Sequence, residues 1–161
     1  MSEIIENVPE TPGTDTPGTD TPGTEPTPPA KPIIDRAIES VMDLIDALGL
    51  FATITRGALG TENGICCEIA PSTPQEVYLD KNQYIFIDLT INGKHDELET
   101  LTNAMNTIHE NLTMLKSYPA GDDWHIVDIA TITEPQVIGR SDNKGWIMAS
   151  NLSVRIITEK E

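Results

Sequence analysis

Proline divides this chain into two parts, because all but four of its 12 prolines lie at or before Pro32. Proline fixes φ and has no backbone N–H, so a segment this rich in it cannot form long helices or inner strands. Residues 11–25 repeat a five-residue Thr-Pro-Gly-Thr-acid unit three times, and no residue from 9 to 32 is large and apolar. We therefore expect residues 1–32 to be a low-complexity arm, disordered or extended, and residues 33–161 to form one domain.

Two roles are open for the arm. It holds six acidic residues and one base, Lys31, so it can serve as a solvated spacer without a specific partner. Alternatively, it lies along a neighbouring subunit and is anchored there by Ile4, Ile5 and Val8, its large apolar residues near the start.

The second part is also acidic. The arm takes six of the 26 acids and one of the 10 bases, which leaves 20 acids against nine bases, and the whole chain carries a formal net charge of -16. Binding to a nucleic-acid backbone needs clustered Lys and Arg that replace counterions. The charge therefore argues against a protein that holds DNA tightly. The adjacent pair Cys66 and Cys67 would point to opposite faces of a strand, which disfavours a mutual disulfide and indicates a reducing compartment.

Two apolar stripes predict two amphipathic helices. The first recurs from Ile34 to Leu48, with Asp35 or a neighbour starting the helix and Gly49 ending it. The second follows Asn92-Gly93, a turn that should close the preceding strand. This helix begins at a capping box of Asp96 and Glu99, and it should lie on one face of a sheet. Its stripe comprises Leu98, Leu101, Met105, Ile108, Leu112 and Leu115.

Alternating and β-branched segments predict the strands. Residues 51–56 and 65–69, separated by a Gly-rich connection, favour a hairpin, and residues 84–91 give the strongest strand pattern. Residues 124–133 and 146–158 are two more strands, joined by a loop or extended hairpin at 136–144. The sequence therefore predicts an α+β fold in which two helices pack on a mostly antiparallel sheet.

The sequence holds no pattern typical of an enzyme. Gly57, Gly60 and Gly64 lie in a predicted turn rather than before a helix, so they do not form a phosphate loop. His95, His109 and His125 are far apart and lack metal-ligand spacing, and His109 should lie on the polar side of the second helix. We therefore expect no catalytic residue, no cofactor and no metal, although Asp122 and Asp123 leave a weak Ca²⁺ site open. Asp88 and Asp128 interrupt predicted strands, where they either face solvent or form a strained acid pair.

Scarce bases beside predicted turns are candidates for contacts between subunits. Arg56, Arg140 and Lys144 are among the few bases of the second part, and Asp142 lies between the latter two. Such cations can pair with carboxylates of a neighbouring subunit. With Ile4 and Ile5 of the arm, these four residues are the predicted subunit or partner interface.

The order of these elements resembles a known family. The helix ending in Gly-Leu-Phe, the segment YIFIDLTINGKHDELETLTNAMNTIHENL and the segment WHIVDIATITEPQVIGRSDNKGWIMASNLSVRIITE resemble the tail terminator, or tail completion, proteins of long-tailed bacteriophages, some of which are named minor capsid proteins. The resemblance covers residues 33–158. The repeat arm is a departure from the family.

The resemblance implies a structural role in the virion. It implies a homohexameric ring on the head-proximal end of the tail tube, which stops polymerisation and joins the tail to the head connector proteins. DNA would pass through the lumen without specific binding, and assembly would occur in the host cytoplasm. The alternative from another class is an acidic monomeric adaptor or regulatory protein that binds a basic partner.

Overall fold

A computed structural model describes residue 13, residues 27–71, the backbone of 76–77, and residues 82–159. The chain divides between Ala30 and Lys31, and the second unit contains the described helices and strands. In chain order these are α1 (Ile33–Asp46), β1 (Ile54–Arg56), β2 (Gly64–Ala70), β3 (Glu76–Val77), β4 (Gln83–His95), α2 (Leu98–Thr113), β5 (Trp124–Arg140) and β6 (Trp146–Thr158).

The strands form one sheet in the order β1-β2-β4-β6-β5, and the short β3 pairs with the start of β4. All pairs are antiparallel except β1 with β2. Two helices pack on this sheet, so the predicted α+β fold is confirmed. The central strands β4 and β6 pair along their whole lengths without a register shift, which places the longest ladder in the middle of the sheet.

Both predicted helical stripes form the core. In α1 the buried residues are Ala37, Ile38, Val41 and Ile45, and in α2 they include Leu101, Met105, Ile108 and Leu112. They pack with alternate side chains of β4 and β6. Among these are Leu89, Ile91 and Leu152, each of which is at most 1% exposed. Burial of one such side chain contributes roughly 1.5–3 kcal/mol, so these stripes hold the helices on the sheet.

The predicted hairpin of residues 51–56 with 65–69 is wrong, because β1 and β2 are parallel, with Ile54 opposite Ile65 and Arg56 opposite Cys67. Parallel neighbours normally need a long crossover. Here β1 has only three residues, about 10 Å of chain, so residues 57–63 suffice to return to its start. Gly57 begins the return with a positive φ of 111°, and its N–H donates to the carbonyl oxygen of Cys67.

The prediction that Asn92-Gly93 closes the central strand is also wrong. β4 continues through both residues to His95 and pairs there with β2 and β6. Gly93 is a site of close packing: a Cβ at this position would lie 2.7 Å from Cδ1 of Leu101. The missing side chain lets α2 approach the strand. A sequence pattern cannot distinguish a glycine that permits close packing from a glycine that forms a turn.

The predicted capping box is not formed. Helix α2 begins after Glu97, which makes no side-chain cap; instead the Glu97 N–H donates to Nδ1 of His95 at 3.0 Å. Helix α1 likewise begins directly after Pro32, with Asp35 in its first turn. Gly49 has a positive φ of 65° just beyond α1, as predicted for the residue that ends it.

The predicted arm lies almost wholly outside the described residues, and so do Ile4, Ile5 and Val8. Within the described part of the chain, neither helix has the length and apolar character required to cross a bilayer.

Candidate interaction surface

Strand β5 forms one edge of the sheet and bears the most unusual surface of the described chain. It has 17 residues and pairs only with β6 among the described strands. Its register shifts repeatedly, and at three of the shifts a single residue is inserted opposite no residue of β6. These inserted residues are Val127, Ile132 and Ile138.

All three inserted residues are β-branched aliphatics, and all are exposed, by 37%, 54% and 59% in chain order. Their neighbour Ile129, which keeps the regular register, is only 1% exposed. A bulge turns a side chain away from the face that strict alternation would give it. β5 therefore directs apolar side chains to the solvent at three points between residues 127 and 138, and we name Val127, Ile132 and Ile138 the bulge row.

The same irregularities make strand addition at this edge unfavourable. Pro135 has no N–H to donate, and each bulge interrupts the row of free backbone groups that a new strand would pair with. The exposed aliphatic Val137, 45% exposed, adds to the apolar area between two bulges. A partner would thus contact β5 through side chains rather than through a continuous backbone ladder.

The end of β5 and the turn after it carry three of the predicted interface residues. Ser141 and Gly145 close the turn through a backbone hydrogen bond of 2.8 Å, and Lys144 takes a positive φ of 70° within it. The Arg140 guanidinium lies 4.4 Å from the ring centre of Trp146 and donates to the Lys144 carbonyl oxygen. Arg140, Asp142 and Lys144 are all exposed, so the structure brings these residues together beside the bulge row.

Arg56 lies elsewhere. It is on β1, at the opposite edge of the sheet, where it donates to Oδ1 of Asp35 at 2.7 Å. A second ion pair anchors the start of α1: Arg36 donates with two nitrogens, at 2.9 Å each, to the two carboxylate oxygens of Asp123. This pair lowers the pKa of Asp123 and occupies the carboxylate that the sequence left open as a Ca²⁺ ligand.

Asp88 and Asp128 share the sheet face that the helices leave uncovered. Asp88 is opposite Ser153 of β6, and Asp128 is opposite Arg155. These two β6 residues alternate with the buried core residues of that strand, so they lie on its other face. Asp88 is partly exposed and Asp128 is exposed, which agrees with the solvent-facing alternative. Arg155 stacks over the ring of Tyr84 on the same face, 4.4 Å from its centre.

The two adjacent cysteines lie on β2. Cys66 and Cys67 are free and buried, and burial raises the pKa of both thiols, that of Cys67 to about 11. A thiol with a raised pKa is a poor nucleophile at neutral pH. No group of three His, Cys, Asp or Glu suited to a metal ion occurs among the described residues.

His109 differs from its prediction. It was expected on the polar side of α2, but it is only 4% exposed, with Nδ1 at 2.8 Å from Oγ1 of Thr131. Its Nε2 is buried without a hydrogen-bond partner, and burial lowers its pKa. Burial favours the neutral form of this histidine, while the Glu134 carboxylate acts in the opposite direction.

No protein-family model and no curated protein matches this chain. The resemblance to tail terminator proteins therefore depends on the sequence segments and element order alone. Sequence patterns placed the connection between the last two strands at residues 136–144, whereas β5 continues to Arg140 and leaves the turn to residues 141–145. They also missed the bulge row. A periodicity of two assigns Ile132 to a strand without showing where the register shifts, and Ile138 falls in the predicted connection at residues 136–144.

Proposed function

We propose that this protein is a phage structural protein that forms a ring on the head-proximal end of a tail tube, stops its polymerisation and joins the tail to the head connector. The observation that carries the proposal is the bulge row: three exposed aliphatics on one edge strand suit a protein–protein contact and not a small-molecule site. The resemblance in sequence and element order supplies the kind of assembly.

A ring requires a heterologous interface, in which one patch meets a different patch on the next subunit. The bulge row, with the adjacent turn at 141–145, supplies one such patch at the β5 edge. The opposite edge is β1, a strand of three residues on which Arg56 pairs with Asp35, so it differs from β5 in length and in the side chains it presents. Two unlike edges favour head-to-tail contacts over a self-complementary pair.

The acidity of the chain supports the same role. With a net charge of -16, subunits repel one another weakly in dilute solution and would line a lumen that repels a DNA duplex. DNA could then pass through the ring without being bound. The acidity equally suits an adaptor that binds a basic partner, so charge by itself does not distinguish the two functions.

The interface is tested with the double variant Ile132→Ser, Ile138→Ser. It should fold normally, because both side chains are exposed, and it should lose ring formation in sedimentation velocity. Met114→Ser is the matched control: Met114 is 80% exposed and follows α2 rather than lying on β5, so its loss should leave assembly unchanged. A double variant that assembles like the parent would remove β5 from the interface.

The function itself is tested with purified tube subunits and electron microscopy. Limiting amounts of the protein should shorten the tubes and appear at one end only. A phage that lacks the gene should produce tails of uncontrolled length that do not join heads. Tails of normal length joined to heads would overturn the terminator function and favour the acidic adaptor.

A further inference from the structure

Lys94 is the buried cation of this fold for which the described residues supply no counterion. It lies near the end of β4 and is 4% exposed. The ammonium donates to the Thr61 carbonyl oxygen at 2.6 Å, and no carboxylate of the described residues forms an ion pair with it. Burial of an ammonium is costly unless it is paired, and a lysine has three N–H donors to satisfy.

The position of Lys94 is fixed by packing on both sides. A Cβ on Gly145 would lie 2.9 Å from Cε of Lys94, so the stem of the lysine runs directly beneath the turn at 141–145. The same Thr61 carbonyl oxygen accepts from Nδ2 of Asn143 at 3.0 Å. The loop at 57–63 and the turn at 141–145 therefore meet over the ammonium and hold it in one place.

The two loops leave a groove of about 340 Å³ beside the ammonium. Apart from Gly60, its lining residues have polar side chains, among them a hydroxyl and a carboxamide, although most of the groove surface is formed by apolar atoms. The lining residues are Gly60, Thr61, Lys94, Ser141, Asp142 and Asn143.

We propose that this groove is a carboxylate-binding site in which the Lys94 ammonium is the principal group that binds the carboxylate. A carboxylate would supply the counterion that Lys94 lacks and accept charge-assisted hydrogen bonds, which are about twice as strong as neutral ones. Asp142 lines the groove but makes no ion pair with Lys94, so its charge opposes an incoming anion and limits the affinity. The carboxylate comes either from a small organic anion or from an Asp or Glu of a neighbouring copy.

The site is tested by titrating dilute, monomeric protein with sodium acetate at constant ionic strength while backbone amide NMR signals are recorded. Saturable shifts should centre on Thr61, Asn143 and Gly145. Sodium chloride at the same ionic strength should not reproduce them. Shifts that do not saturate, or that centre away from the groove, would overturn the proposal without any substitution being needed.

Two substitutions then identify the ligand group. Lys94→Met keeps the apolar stem and removes the charge, so acetate affinity should fall about tenfold or more. Asp142→Asn removes the opposing carboxylate, so affinity should rise. Lys116→Met is the control for net charge, because Lys116 is exposed and lies outside the groove; it should bind acetate like the parent. Equal binding by parent and a folded Lys94→Met variant would rule out Lys94 as the ligand.

The source of the carboxylate is found by repeating the titration on assembled protein. Loss of acetate binding on assembly would show that a neighbouring copy fills the groove, and unchanged binding would show a free anion as the ligand. The acetate result in monomers does not depend on the proposed tail function, since it requires neither tube nor ring.

Discussion

The structural role of a single residue in this fold depends on which side chains pack against it rather than on its own residue type. Gly93 looks like half of an Asn-Gly turn, but it is a strand residue that lets Leu101 and Met105 contact β4. His109 looks like a polar helix position, but it is enclosed by β5 through Thr131. In both cases a neighbour distant in sequence sets the role.

Gly93→Ala should destabilise the protein by about 1–3 kcal/mol, because the new methyl group meets the fully buried Leu101. Gly139→Ala is the control, since nothing lies within 4 Å of a Cβ there. Urea unfolding should show a lower midpoint for the first variant only. Equal midpoints would mean that α2 can move away from the strand at little cost.

His109 should make stability depend on pH in a defined window. Burial lowers its pKa from the ordinary 6.5, while the carboxylate of Glu134 acts in the opposite direction. Between the ordinary pKa of 6.5 in the unfolded chain and the lower pKa in the folded chain, the unfolded chain binds a proton that the folded chain does not. Stability should therefore fall as the pH drops below 6.5. Urea unfolding from about pH 7.5 to about pH 5.5 should show a steeper loss for the parent than for His109→Gln.

The Arg36–Asp123 pair does not contribute to the pH dependence of stability in the range used for His109. The pKa of Asp123 is lowered from 3.8 by the hydrogen bonds from Arg36, so its contribution is present above pH 3.8 and is lost only below it. If the two proteins lose stability in parallel through the His109 window, the imidazole is not buried in its neutral form.

Among the strands, length and register determine pairing direction and side-chain exposure, which residue composition alone does not specify. β1 is short enough for the return through residues 57–63, and that length permits its parallel pairing with β2. β5 is long enough to accumulate register shifts, and these expose the bulge row. Neither property is visible in the kinds of residues that make up the strands.

Two isoleucines of β5 should therefore respond differently to truncation. Ile129→Ala should cost about 2–5 kcal/mol of unfolding free energy, because the side chain is in the core. Ile132→Ala should change the stability of the monomer by less than about 0.5 kcal/mol, because its side chain is exposed. Chemical denaturation of dilute protein measures both; similar losses would place Ile132 in the core and remove it from the bulge row.

At the scale of the whole molecule, the described core is contained in the unit from Lys31 to Glu161. Both helices, all described strands and every core residue belong to it. The acidic surface and the β5 edge are therefore properties of a domain whose folding should not require the segment before Lys31.

A chain that begins at Ala30 should unfold within about 4 °C of the full-length protein, a difference that corresponds to about 1 kcal/mol or less for a domain of this size. Differential scanning calorimetry of the two dilute proteins checks this. A larger drop would show that residues 1–29 stabilise the domain that they precede. A loss seen only in the assembled state would support an arm that binds a neighbouring subunit.

Local sequence patterns predict the elements whose periodicity is long and regular: the helical stripes that include Ile38 and Leu101, the strand of residues 84–91, and the α+β class. Those patterns depend on which side of one element is apolar, and that is written locally. Four features are seen only in the folded chain: the parallel pairing of β1 with β2, the close approach at Gly93, the bulge row on β5 and the burial of Lys94 beneath residues 141–145. Each of these depends on register or on contact between segments distant in sequence, which local residue types do not specify.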